Sequence, residues 1–145
     1  MNQAHFHLIV NHLPIIIPII GLIIMISGFI LRSEIVKRTA YGLFILGALC
    51  IIPALATGEG AEEIVERIPN ISKSYIKQHE EMAETFAITS YILGGLSLIG
   101  LWANVKQKKI STIISVGTII LAIVVLFFAK QTGTSGGKIR HTEIR

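Results

Sequence analysis

The sequence predicts an all-α integral membrane four-helix bundle, on three observations. The composition is 52% hydrophobic and only 15% charged, against a charged share of about 25% in an ordinary soluble domain. The apolar residues fall into four runs of membrane length, about 8–31, 40–56, 84–105 and 110–130. About 20 residues rising 1.5 Å each cover the roughly 30 Å of bilayer hydrocarbon. The polar residues, in turn, concentrate where the runs end.

The first run opens at His7-Leu8-Ile9-Val10-Asn11-His12-Leu13-Pro14. Pro14 has no amide hydrogen to donate and clashes with the carbonyl of Val10, so the chain bends or begins its regular helix here, and Pro18 repeats the stress one turn later. No Lys or Arg precedes the run, it exceeds a signal-peptide core, and no small-residue cleavage site follows, so it reads as a retained span. The link Arg32-Ser33-Glu34-Ile35-Val36-Lys37-Arg38 is basic. The second run is the shortest and carries Pro53 near its far end, where a kink is tolerated. Its Cys50 is the only cysteine, which excludes an internal disulfide or a cysteine metal cage.

Residues 57–83 form the long connection. Ala61, Ile64, Val65 and Ile68 repeat at helical spacing until Pro69, and a second helix is predicted from near Ser72, carrying Tyr75 and Ile76 inward. Both are expected as short interfacial helices over the span ends. The third and fourth runs are joined by Lys106-Gln107-Lys108-Lys109, and a tail of residues 131–145 follows, in which Gly136 and Gly137 let the chain double back. Positive charge in short links marks the cytoplasmic side, so both termini and the long connection are expected on the opposite face. Lys138, Arg140 and Arg145 in the tail argue mildly against this.

Whichever way the protein faces, one deduction holds. With four spans, His5, His7, His12, His79 and His141 all lie at one end, as do Glu59, Glu62, Glu63, Glu66, Glu80, Glu81, Glu84 and Glu143. The chain has no aspartate, and Glu34 alone sits at the other end. Chance would gather five histidines so about once in sixteen, if each side is a coin toss for groups that avoid the bilayer core.

Several of these residues have plainer readings. A solvated histidine on an N-terminal helix accounts for His5, a solvated helix face for Glu62, Glu63 and Glu66, and a frayed terminus for His141 and Glu143. His12 and His79 are harder to dismiss, since both stand beside apolar runs. Glu80 and Glu84, or Glu81 and Glu84, share a helical face. Thr85-Phe86-Ala87-Ile88 pulls Glu84 toward hydrocarbon, where a carboxylate needs a partner.

His7 to Pro14, Thr57-Gly58-Glu59, Ala61-Glu62, His79-Glu80 and the closing Gly136-Gly137-Lys138-Ile139-Arg140-His141-Thr142-Glu143-Ile144 resemble a group of small four-span bacterial inner-membrane proteins. These are similar to the domain-of-unknown-function family numbered 2231. The resemblance covers essentially the whole chain and implies a four-helix fold in a bacterial inner membrane, with both termini periplasmic once the link charges are added, but no established activity. It favours His7 over His5 and gives the tail a role beyond fraying. The candidate ligand set is thus His7, His12, Glu59, Glu62, His79, Glu80, Glu84, His141 and Glu143.

Imidazole and carboxylate together suit one or two divalent transition ions, and zinc, iron, manganese and copper all tolerate the mixture. The leading expectation is such a site, with a redox role open. A second is haem b between two histidines, for instance His12 and His79, in a membrane cytochrome; no cysteine pair exists for covalent attachment. Up to eight glutamates at the same rim oppose the haem propionates. A third is a non-catalytic accessory subunit of a membrane complex or a homo-oligomer, since Gly21, Gly28, Gly94, Gly95 and Gly100 permit close helix contact. The net charge of +4 is spread over both ends, so the partner is the lipid bilayer rather than nucleic acid. No phosphate-cradling loop or nucleophile elbow is present. No acid or base stands mid-span to carry an ion through.

Overall fold

A computed structural model describes residues 2–69 and 71–141 as five helices: α1 (Gln3–Val10), α2 (Leu13–Ile30), α3 (Glu34–Glu66), α4 (Lys73–Val105) and α5 (Ser111–Arg140). α1 and α2 make one long apolar segment interrupted at Asn11 and His12. Asn11 N still donates to His7 O, and Pro14, lying in the first turn of α2, takes a position where its missing donor matters least. Four helices are thereby long and apolar enough to cross a membrane: Gln3–Ile30, Glu34–Glu66, Lys73–Val105 and Ser111–Arg140.

Neighbours in sequence are neighbours in the bundle. α2 packs on α3, α3 on α4 and α4 on α5, and α2 closes the ring against α5. α1 packs chiefly on α3 and contributes little contact with α4 or α5, so the bundle is more open at this end than in its middle.

Unlike a soluble bundle, this one carries large apolar side chains on its outer surface as well as in its core. Ile23, Ile30, Ile113, Ile120 and Phe127 are exposed, whereas small residues line the helix interfaces. Side chains fill the space the glycines leave: the Phe44 ring lies against Gly21, Pro18 against Gly47, Ala48 against Gly94, and the Tyr41 ring against Gly100. Where lipid removes any hydrophobic gain from bringing helices together, small residues allow the close approach that van der Waals packing requires. Phe44, Ile51, Phe86, Leu93, Met25 and Val125 fill the middle of the core.

The two interfacial helices expected in the long connection are not separate elements. The apolar residues Ala61, Ile64 and Val65 belong to the last turns of α3, and Tyr75 and Ile76 to the first turns of α4, leaving only residues 67–72 as the link. Helical periodicity is legible there, and α3 runs on through Gly58 and Gly60 because no proline stands between Thr57 and Glu66. α5 likewise continues to Arg140, through Gly133, Gly136 and Gly137, where the sequence suggested a doubled-back tail.

Candidate functional site

α1 carries His7 onto the C-terminal part of α3. The His7 Nδ1 lies 3.0 Å from the Ala54 carbonyl oxygen and 3.1 Å from Thr57 Oγ1. A carbonyl can only accept, so Nδ1 carries the proton and donates. Thr57 Oγ1 spends its own hydrogen on the Pro53 carbonyl at 2.8 Å, which leaves its oxygen free to accept. Nε2 of a neutral His7 then bears an unshared lone pair.

The same arrangement recurs in the other half of the bundle. α4 carries His79 onto the end of α5, where His79 Nδ1 lies 3.2 Å from the Thr132 carbonyl oxygen and 3.1 Å from Ser135 Oγ. Ser135 Oγ donates to the Thr132 carbonyl at 3.0 Å, and Thr132 Oγ1 ties α5 back to the Met82 carbonyl of α4 at 3.0 Å. Both rings are half-buried. They lie within electrostatic reach of each other. A glycine follows each clasping hydroxyl: Gly58 faces His7 Cε1, and Gly136 faces His79 Cε1 so closely that a Cβ would stand 3.0 Å away.

Other expected ligands are placed differently. His12 is exposed, and its Nδ1 approaches the Leu8 carbonyl one turn earlier at 3.1 Å rather than a group of another helix. With the chain turning at Asn11 and His12, it is the residue five positions earlier that meets the neighbouring span. Glu59, Glu80 and Glu84 are exposed, and Glu62 is half-buried. Glu62 is close enough to Glu80, Glu66 and Glu59 to feel their charge, with Lys73 nearby. His141 is the exposed C-cap of α5, its amide bonded to the Gly137 carbonyl. Glu143 lies outside the described residues. Among the described residues, no three His, Cys or Glu side chains are grouped as a metal-ion cage.

Among the described residues, three buried side-chain atoms have no hydrogen-bond partner: Asn11 Oδ1 near this end, and Ser90 Oγ and Ser97 Oγ deeper along α4. Asn11 is four residues beyond His7, one turn deeper on the same face, and Ser90 is eleven beyond His79, three turns deeper on its face. An unpartnered buried polar group costs about 1–3 kcal/mol unless something polar meets it. Beside α1, an open groove is lined by Asn2, Gln3, Phe6, Ala56, Thr57 and Ile64, and neither histidine lines it.

The opposite end holds a polar cluster that the sequence reading missed. Lys37 is only 7% exposed; its Nζ pairs with Glu34 Oε1 at 2.7 Å and lies 4.5 Å from the centre of the Phe29 ring. Asn104, 2% exposed, donates through Nδ2 to Glu34 Oε2 and accepts at Oδ1 from Arg38 Nε at 2.7 Å. One turn deeper, the Tyr41 hydroxyl meets Ser115 Oγ at 2.9 Å. The signal was available: Glu34 is the one acid apart from the rest, and Asn104 interrupts the apolar end of the third run.

Against known proteins, no family, no curated protein and no solved structure matches this chain, so the site stands on its own geometry.

Proposed function

We propose that the histidine end binds haem b through Nε2 of His7 and Nε2 of His79, and that the protein is a membrane electron carrier. The observation that carries this reading is the pair of matched clasps. A histidine that ligates a metal must present a bare nitrogen, and a hydrogen bond from its other nitrogen to a carbonyl fixes both the tautomer and the ring direction. The described residues offer two such nitrogens and no third strong ligand beside them. Haem brings four nitrogens of its own and needs only two from the protein. A free ion would need more.

The sparse contact between α1 and the α4–α5 pair supports entry of a flat group. Lys138 and Arg140 bring positive charge to the end where propionates would sit. A haem held by His7 and His79 would supply one-electron transfer rather than oxygen chemistry, because both protein ligands would be imidazoles. The basic links near Lys37 and Lys108 support a cytoplasmic turn end, and hence a periplasmic haem in the bacterial inner membrane that the resemblance implies.

A second reading, one transition ion held with carboxylate help, is favoured by the closeness of Glu62 and Glu80. Absorption spectra of protein purified in mild detergent, with elemental analysis, separate the two. A Soret band at one haem per chain is expected. Stoichiometric transition metal without that band would replace haem by the ion.

A further inference from the structure

The two hairpins share more than a histidine. Among described residues, the only non-glycine positions with positive φ are Arg32 at 51° and Gln107 at 50°. Each ends an odd-numbered span in the same way: Ser33 N donates to Gly28 O at 3.0 Å, and Lys108 N donates to Ala103 O at 2.9 Å. Both are the six-residue closure of a Schellman turn, usually built on glycine. In the first hairpin Arg32 is 25 positions after His7 and 25 before Thr57; in the second, Gln107 is 28 after His79 and 28 before Ser135. In each, the clasping carbonyl lies three residues before the clasping hydroxyl, and a glycine follows that hydroxyl against the ring.

We infer that the chain is one helical hairpin duplicated, and that His7 and His79 are equivalent half-sites that grip a single occupant, a metalloporphyrin, between the hairpins with one Nε2 from each. The second hairpin is longer by three residues in both arms, just under one helical turn, about 4.5 Å. Lengthening one arm alone would have slid the histidine off its clasp. Equal arms follow from pairing across any antiparallel hairpin, so the likeness rests on the shared turn geometry, the carbonyl-to-hydroxyl spacing and the glycine beside each ring. Parallel repeats of this kind are related by an axis along the membrane normal. Two imidazoles brought in from opposite hairpins suit a ligand that needs like donors on its two faces, as porphyrin iron does. The occupant rests on the haem reading given above; the equivalence of the two half-sites does not.

The test uses the full-length protein, ¹⁵N-labelled at histidine, in detergent micelles with and without added hemin. Without hemin, both His7 and His79 should be neutral with the proton on Nδ1. Thr57→Val should disturb only His7, and Ser135→Ala only His79. With hemin, one should bind per chain; each of these two variants should weaken it about tenfold to a hundredfold, the cost of losing a partner behind a metal ligand. His7→Ala and His79→Ala should each weaken it at least as much, and alike. A proton on Nε2 of either ring, or tight hemin binding that survives loss of one histidine but not the other, overturns the equivalence. If wild-type protein binds no hemin, the haem reading fails, and the occupant with it, while the two tautomers still decide whether the half-sites are equivalent.

Discussion

The two ends of the bundle use their polar groups in opposite ways. At the turn end, Glu34, Lys37, Arg38 and Asn104 satisfy one another: each charge has an opposite charge or an amide, and Asn104 both donates and accepts. At the histidine end, backbone carbonyls and hydroxyls hold one nitrogen of each ring and leave the other unused, while Asn11 Oδ1 has no partner. A closed network stabilises a fold; a network with unused lone pairs stabilises it less and leaves nitrogens that a ligand of the proposed kind would use. The contrast is between a latch and the proposed site within one small bundle.

The largest expected effect tests the latch. Asn104→Leu removes the amide joining α3 to α4 and strips a partner from both Arg38 and Glu34. Hydrogen bonds to charged groups are worth about 1.5–3 kcal/mol each, and water reaching the turn end returns part of this. A loss of about 2 kcal/mol is expected, read as a lower midpoint of thermal or denaturant unfolding in detergent. Haem affinity measured at a temperature where the variant is folded should be unchanged. Loss of affinity in the folded variant would show the two ends to be coupled and break the comparison.

The difference between the ends also explains what could be read beforehand. The four long apolar helices were legible because their runs have membrane length, and the expectation that the histidines gather at one end followed from counting the runs. His79 was recognised beside its apolar run, and His7 through the resemblance. The clasps were not legible. They join Ala54 and Thr57 to a residue about 50 positions earlier, and Thr132 and Ser135 to one about as far before them, and sequence spacing within a helix carries no information about such pairs. His12 looked the better ligand because it stands beside the apolar run, but its ring turns back to the Leu8 carbonyl one turn earlier. Gly136 and Gly137 suggested a turn, yet α5 passes straight through them, and Gly136 serves instead to admit the His79 ring. At the turn end, Asn104 and Glu34 are 70 residues apart and met only in the folded bundle.

A smaller effect sharpens the comparison within the histidine end. A methyl group at Gly136 would stand 3.0 Å from His79 Cε1 and 3.2 Å from its Nδ1, whereas one at Gly58 would be 3.9 Å from His7 Cε1, an ordinary contact. Gly136→Ala should therefore push the His79 ring off Thr132 and Ser135 and weaken haem binding about tenfold, within the range for disturbing a ligand's outer partners. Gly58→Ala should change it by less than about threefold. Equal effects of the two, measured by hemin titration, would mean that ring placement is not governed by the space beside each clasp.

The smallest effect is expected at the two turns, and its sign is opposite. Arg32 and Gln107 hold the left-handed conformation that places Cβ against the backbone, at roughly 1–2 kcal/mol for a residue other than glycine. Glycine removes that clash but adds freedom to the unfolded chain, which returns about 0.4–1 kcal/mol. Each of Arg32→Gly and Gln107→Gly should then stabilise the protein by roughly 0.5–1 kcal/mol, the balance of those two effects. Neither side chain takes part in the latch hydrogen bonds described above, so the gain should not be offset there. If the hairpins are copies, the two gains should also agree within the usual additivity error of about 0.5 kcal/mol, and the double variant should show their sum, because the turns belong to different hairpins. Midpoints from chemical unfolding of the two single variants and the double measure this directly. A loss of stability at either position would show that its side chain does something at the turn end that the other does not, and would break the match between the hairpins where they are most alike.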